Sequence, residues 1–445
     1  GTELVVERFD AIASLSPERT AVVSHAAESN EETSVSFGEL KSMSDRVAVG
    51  LSEAGVEPGD VVAVQLPSWW HYLVIYIACV RLGAAINPLM PIFRERELSF
   101  MLKHARSKVL IIPRTFRGFA YPEMVASTRG NLPDLKHVFT VDGADPANSF
   151  EAVLLHKPLP ADFAASDVFE TGRPSANAVT ELMYTSGTTG EPKGAMHTAN
   201  TLLCKVRLAQ ELFELTNEDV VYMGSPVAHQ TGFMYACIMT LSLGIKSVLQ
   251  DVWNAGVAAR LIEEHGCTVT VGATPFLNDL VHVPAAQEYD LASLRLFLCA
   301  GAPIPRVLLR DAAKRYPGLY VMSAWGMTEN GIVTATYPGD AEDKVFETDG
   351  RALPHQQVRV VGPDGEPVTT GTEGRLQARG PTCFVGYLNR PEAYEIDEAF
   401  WFETGDNARM DADGYIRITG RSKDIIIRGG ENVPVVEVEN LLYQH

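Results

Sequence analysis

The residues best suited to chemistry stand in one run, Tyr184-Thr185-Ser186-Gly187-Thr188-Thr189-Gly190-Glu191-Pro192-Lys193-Gly194. Three glycines, four serine or threonine residues and one lysine fall within these eleven positions. Glycine lets the backbone turn successive N–H groups towards one concave site, and the hydroxyls add donors. Lysine adds a point charge. Such a set suits a polyphosphate. It is not the G-x-x-x-x-G-K-[ST] loop, because Pro192, not glycine, precedes Lys193. The competing account is a flexible surface loop of similar composition. The ordered arrangement after the apolar run Ala178 to Met183 favours binding.

Five further segments follow in order: Pro226-x-x-His229-x-x-Gly232, Gly301-Ala302-Pro303, Trp325-Gly326-Met327-Thr328-Glu329, Thr404-Gly405-Asp406 and Gly420-Arg421-Ser422-Lys423-Asp424. Taken singly, each has a plain structural explanation. His229 alone reads as a structural histidine, Trp325 as core, and Asp406 as a turn former. Taken together and in this order, the six segments closely resemble the signature of the adenylate-forming superfamily, the acyl-CoA synthetases and AMP-dependent ligases.

The resemblance implies a role for each position. Thr185, Ser186, Gly187, Thr188, Thr189, Gly190 and Lys193 would hold the phosphates of ATP, and Gly301, Ala302 and Pro303 would line the adenine. Trp325 would offer adenine a flat face where the family more often has tyrosine, with Gly326 and Met327 beside it. Thr328 would donate to the α-phosphate. Glu329 and Thr185 would hold Mg²⁺, a hard cation that prefers oxygen ligands. Asp406 would accept the ribose hydroxyls, as carboxylates do in dinucleotide sites. Arg421, always charged, would reach the ribose or phosphates. Thr185, Lys193, Glu329 and Arg421 form the implied catalytic set, and Lys423 and Asp424 the hinge.

The implied acyl pocket draws on His229, Phe233, Val271, Ala273, Ala300 and Ala324. Apart from the histidine these are apolar or small. No cation stands ready for a second carboxylate and no acid for an amino group, and an unpaired charge in such a pocket is costly. An apolar monocarboxylic acid is expected. Asn87 to Leu98 and Glu431 to Glu437 resemble the cyclohexanecarboxylate-CoA ligase branch and its medium-chain neighbours, leaving ring, branched and medium-chain acids open. The reaction implied is ATP-dependent formation of an acyl-adenylate, then of a thioester with coenzyme A. Two other readings stand beside it: an adenylation domain loading a carrier protein, and a catalytically silent ligand-binding relative. Intact Thr185, Lys193, Glu329, Asp406 and Arg421 count against silence.

The elements that must position these residues alternate between strand-length apolar runs and helical patterns. Examples are Val220–Met223 with Thr231–Ser242, Lys246–Leu249 with Ala255–His265, and Thr268–Val271 with Pro275–Val281. Alternating β and α units imply parallel sheets covered by helices. The expected fold is α/β: an adenylation body over residues 1–333, made of two parallel-rich α/β subdomains, and a β-rich subdomain over 334–422. Residues 423–445 are expected to be the hinge and the start of a C-terminal small domain that is mostly absent, with a helix from Pro434 to Tyr443. Trp69-Trp70 reads as packing and Glu28–Glu32 as a solvated loop.

The 445 residues carry 37 basic and 56 acidic side chains, a net charge of −19. Such a chain repels phosphate backbones and anionic lipid surfaces, so nucleic acid is not an expected partner. The most hydrophobic stretch, Trp69 to Met90, is interrupted by Arg81 and broken by Asn87-Pro88, which argues for a buried helix feeding a strand and against stable membrane insertion. Six scattered cysteines without a C-x-x-C pair suggest a reducing, cytoplasmic setting. A homodimer is one oligomeric state left open.

Overall fold

The computed structural model describes residues 1–159, 173–185 and 191–421, the backbone of 425–428 and 431–434, and Leu442. Ser186, Gly187, Thr188, Thr189, Gly190, Lys423 and Asp424 lie outside the described residues. The chain divides into two compact units that interleave in sequence. Gly1–Val206, Thr216–Trp253 and Phe384–Asn389 form one; Arg207–Leu215, Asn254–Cys383 and Arg390–His445 form the other.

The first unit holds β1 (Thr20–Ala26), β2 (Glu31–Ser36), β3 (Val61–Val64), β4 (Ala85–Pro88), β5 (Val109–Pro113), the short ribbon β6 (Thr115–Phe116) and β7 (Phe119–Ala120), β8 (His137–Val141), β9 (Val179–Thr185), β10 (Lys193–Thr198), β11 (Val220–Met223) and β12 (Lys246–Gln250). Six of them line up as β10-β9-β4-β3-β5-β8. Neighbours from β9 to β8 are parallel, and the edge pair β9–β10 is antiparallel. In a second set β11, β12 and β1 run parallel, with β2 antiparallel on the edge. All five residues of β5 are buried, as expected of a strand covered on both faces.

Helix His71–Leu82 is buried along almost its whole length, including Arg81. The guanidinium is neutralised: Nη1 and Nη2 donate to Asp10 at 2.8 and 2.6 Å, and Nε lies 2.9 Å from Asp45. Gly83 at φ +68° stops the helix, and β4 follows. The long apolar stretch is thus a core helix and strand. Among the described residues no helix is long and apolar enough to cross a membrane. Trp69 and Trp70 precede the helix as packing groups. Trp69 Nε1 donates to Asp251 at 3.0 Å, and Trp70 stacks on His71 at 3.8 Å. Burial lowers the His71 imidazole to about 3, so the ring is neutral.

Two local expectations change. Glu31 and Glu32 are not loop residues; they open β2, exposed, after a turn with Asn30 at φ +57°. Charges on an edge strand stay solvated and discourage pairing with another chain, which explains how a strand carries them. The expected helix Thr231–Ser242 is wound in three pieces: α over Gln230–Gly232, π over Phe233–Ile238 and α again over Met239–Leu243.

In the second unit β13 (Val269–Gly272), β14 (Leu296–Cys299) and β15 (Tyr320–Met327) run parallel, and β16 (Gly331–Ala335) and β17 (Arg351–Ala352) continue antiparallel. An antiparallel meander follows: β18 (Gln357–Val361), β19 (Gly374–Arg379), β20 (Phe402–Met410) and β21 (Ile416–Arg421). Its inner face packs Val360, Leu376, Ala408 and Ile416 with Trp325 and Val333. The parallel-rich and β-rich parts expected from sequence are both present. Finally β22 (Ile425–Arg428) pairs antiparallel with β23 (Glu431–Pro434). Pro434 therefore ends a strand; beyond it only Leu442 of the expected terminal helix is among the described residues.

Candidate active site

In the first unit, Thr185 ends β9 and Lys193 begins β10, and the ladder sets them opposite one another. The Thr185 hydroxyl donates to the Lys193 carbonyl at 3.5 Å. The Lys193 Nζ lies 4.9 Å from the centre of the Tyr387 ring. An ammonium over an aromatic face is favourable and holds the charge in place. Tyr387 is brought there by chain remote in sequence. Met196 N–H donates to Gly386 at 3.0 Å, Val385 N–H to Met196 at 3.0 Å and Leu388 N–H to Gly194 at 2.8 Å, so residues 385–388 pair along β10.

The Pro226–Gly232 segment is a compact turn into a helix. His229 N–H donates to Pro226 at 2.9 Å, and Val227 N–H donates to the buried Ser68 hydroxyl at 3.0 Å. Gly232 is pressed against this turn: a Cβ there would lie 2.3 Å from the Pro226 carbonyl oxygen. Only glycine fits without moving backbone. His229 caps the helix, its Nδ1 accepting from Thr231 N–H at 3.2 Å. An accepting Nδ1 carries no proton, so the neutral ring holds its proton on Nε2. The residue is solvent-exposed, yet packed chain around the ring excludes enough water to lower its pKa. Phe233, next along, is fully buried, with edge contacts to Tyr72 and Tyr76 at 6.5 and 5.2 Å.

In the second unit the candidate acyl and adenine residues gather at the carboxyl ends of parallel strands. Gly272, Cys299 and Ser323 are in register across β13, β14 and β15. Val271 lies on β13, Ala324 on β15, and Ala273 and Ala300 directly follow β13 and β14. Ala300 N–H donates to Gly272 at 3.2 Å, and Thr274 Oγ1 donates to Pro303 at 2.9 Å, which ties the Gly301-Ala302-Pro303 turn to the start of the helix Thr274–His282. Strand ends of this kind are where open α/β sheets bind ligands.

The Trp325–Glu329 segment is the end of β15 and the turn of a hairpin. Thr328, Glu329 and Asn330 form the turn, closed by Asn330 N–H to Met327 at 3.1 Å, with Gly331 at φ +69°. A three-residue loop followed by a left-handed glycine suits the twist of antiparallel strands. Glu329 is thereby held at the tip, only 4% exposed. Gly326 faces the returning strand so closely that a Cβ would lie 2.2 Å from the Gly331 carbonyl oxygen. Gly326→Ala is therefore expected to lower unfolding free energy by about 1–3 kcal/mol, since backbone cannot step aside as a side chain can. Denaturant unfolding checks this; an unchanged midpoint refutes the close approach.

Asp406 is aimed by a bulge. Between Glu403 and Asn407, β20 has three residues opposite the single Leu376 of β19, and Gly405 takes φ +78°. Such bulges redirect side chains. Asp406 is buried, and Trp325 Nε1 donates to its Oδ2 at 2.8 Å. Arg421 sits directly opposite in the ladder, its Nε 3.5 Å from Oδ1. Trp325, Asp406 and Arg421 are thus one connected group. The indole contributes more than a flat face: its N–H fixes one oxygen of the carboxylate expected at the ribose. The pair with the half-exposed Arg421 is open to solvent and adds little stability by itself.

Residues 9–388 match the AMP-binding enzyme family. The chain belongs to that family. It is 35% identical over 431 residues to a medium-chain fatty-acid–CoA ligase of Escherichia coli K12, covering 96% of this chain and 74% of the ligase. A feruloyl-CoA synthase of Amycolatopsis is 33% identical, over 97% of this chain and 81% of that enzyme. The anthranilate CoA ligase AuaEII, solved with anthranoyl-AMP, shares the fold with a TM-score of 0.86 over 100% of this chain and 83% of its own, at 23% identity.

Within this AMP-binding enzyme, three side chains near the candidate residues escaped the sequence reading. Tyr387 carries no local signal, because its partner Lys193 lies nearly two hundred positions away. Glu181 and Lys205 did offer one: a charged residue in an otherwise apolar strand or buried helix face.

Proposed function

We propose that this AMP-binding enzyme is an acid–CoA ligase that works in the cytoplasm on an apolar monocarboxylic acid. The acid's carboxylate attacks the α-phosphorus of ATP; pyrophosphate leaves and an acyl-adenylate forms. The thiol of coenzyme A then attacks the acyl carbonyl, and AMP leaves. The observation that carries this reading is the connected group Trp325, Asp406 and Arg421, next to the Glu329 hairpin, in a chain of this family.

Attacking carboxylate and triphosphate are both anionic, so the protein's task is positioning and charge neutralisation. Lys193, steadied by Tyr387, brings positive charge to the phosphates, and the Thr185 hydroxyl a hydrogen-bonding group. Asp406, oriented by Trp325, takes the ribose. Arg421 pairs with it and reaches the nucleotide from the strand end. The buried Glu329 carboxylate is a hard oxygen donor of the kind Mg²⁺ prefers. Bound there, Mg²⁺ would neutralise phosphate charge as a Lewis acid.

For the acid, the walls proposed are Val271, Ala273, Ala300 and Ala324, at the strand ends of the second unit. None carries a charge, which supports an apolar tail and leaves room for a ring or a medium chain. A panel of straight, branched and ring acids is expected to give acid-dependent pyrophosphate release with medium-chain or ring monocarboxylates and none with amino acids or dicarboxylates. Release with no consumption of coenzyme A would instead indicate a carrier-protein acceptor. Preference for a dicarboxylate overturns the pocket assignment.

A further inference from the structure

Glu181 lies within β9, four residues before Thr185, and has no solvent exposure. A buried carboxylate is unfavourable unless partners surround it. Several elements of the same unit supply them. The ladder sets His197 of β10 directly opposite Glu181. Helix Ala199–Leu212 brings Lys205, 4% exposed, whose Nζ lies 3.2 Å from His197 Nε2. Gln230, the neighbour of His229 and also buried, approaches the carboxylate without closing a full hydrogen bond. Tyr76 of helix His71–Leu82 and Cys237 of the π segment are further titratable neighbours.

Burial pushes the Glu181 carboxyl up to about 7, against the opposing pull of Lys205 and Gln230. The charge on Glu181 therefore changes in the neutral range. Lys205 and Gln230 favour the ionised form, so the assembled arrangement is the ionised one.

We propose that Glu181 is a positioning residue for acid activation: ionised, it draws Lys205 and Gln230 together and holds the Thr185 end of β9, the Lys193 end of β10 and the His229 turn in one arrangement. The inference rests on the roles proposed above for Thr185, Lys193 and His229. No substrate touches Glu181 in this account. It acts through the two strands that flank the hydroxyl- and glycine-rich run and through the residue next to the helix cap.

The test is acid-dependent pyrophosphate release by the whole chain, measured across the neutral pH range. Parent, Glu181→Gln, Glu181→Asp, Lys205→Met and the paired E181Q/K205M protein are compared. The parent's kcat is expected to rise through about pH 7 as Glu181 ionises. Glu181→Gln is expected to lose that rise and to lower kcat roughly 10- to 100-fold, the scale seen when a residue supporting a reactive group is removed. Glu181→Asp should keep the rise and recover part of the rate. A purely structural role would lower the melting temperature and the active fraction without moving the pH profile. If single variants fail to fold, the paired variant leaves no unpaired buried charge and is measured in their place. Persistence of the parent profile in Glu181→Gln or in the paired variant overturns the inference. A parent with no acid-dependent release refutes the functional reading beneath it; an active parent whose profile ignores Glu181 refutes this inference alone.

Discussion

Glu329→Gln protein is expected to fold like the parent and to release pyrophosphate on the order of 100-fold more slowly at saturating ATP and acid. Glutamine has nearly the same shape, so the hairpin turn over Thr328, Glu329 and Asn330 should close as before. What disappears is one negative charge at a buried position. A buried carboxylate near phosphates would repel them unless a cation lies between. The proposed role as a hard anionic ligand for Mg²⁺ supplies that cation and predicts that the variant needs far more metal for half-maximal rate. Metal titration of the pyrophosphate rate, with thermal melting as the control for folding, checks both parts. A near-normal rate at the parent's Mg²⁺ requirement removes Glu329 from the metal site.

Asp406→Ala should weaken ATP binding by about 2–3 kcal/mol, the scale of hydrogen bonds to a charged group, or roughly 30- to 150-fold in Kd. Two losses combine. The ribose loses its acceptor, and the buried Trp325 Nε1 loses the oxygen it meets at 2.8 Å. Trp325→Phe separates them, because it keeps a flat ring and removes only the donor. If the carboxylate meets the ribose directly, Trp325→Phe costs clearly less than Asp406→Ala, since a carboxylate without its indole partner still accepts hydroxyls. Equal losses would mean that Asp406 serves mainly to anchor the indole. Calorimetric titration with ATP distinguishes these outcomes, and an unchanged Kd for Asp406→Ala excludes it from the ribose site.

The motif segments were readable from sequence because their demands are local. Gly232 must clear a carbonyl six residues earlier, and Gly326 one five residues later. Gly405 must take a left-handed conformation beside the aspartate it helps aim. Short-range backbone sterics of this kind leave glycine, proline and hydroxyl residues at fixed spacings. The alternation of apolar runs with helical patterns likewise reports local periodicity, and it foretold β11 to β13 with the helices Ala255–His265 and Thr274–His282 within one or two residues.

Other features depend on which distant strands pair and in what register. Glu31 and Glu32 form a strand because β1 lies beside them, whereas their charge alone argued for a loop. Tyr387 reaches Lys193 only because residues 385–388 return to β10. Trp325 was readable as an aromatic face; that its N–H fixes Asp406 follows from the bulge that sets three residues opposite Leu376. Glu181 gains its partners from a cross-strand position, a helix and a turn that no spacing links. The sequence by itself determined the family, the type of site and the residues its turns require. Tertiary structure decided what each charged or aromatic group touches, because hydrogen bonding and desolvation are set by neighbours in space, and long-range register chooses those neighbours.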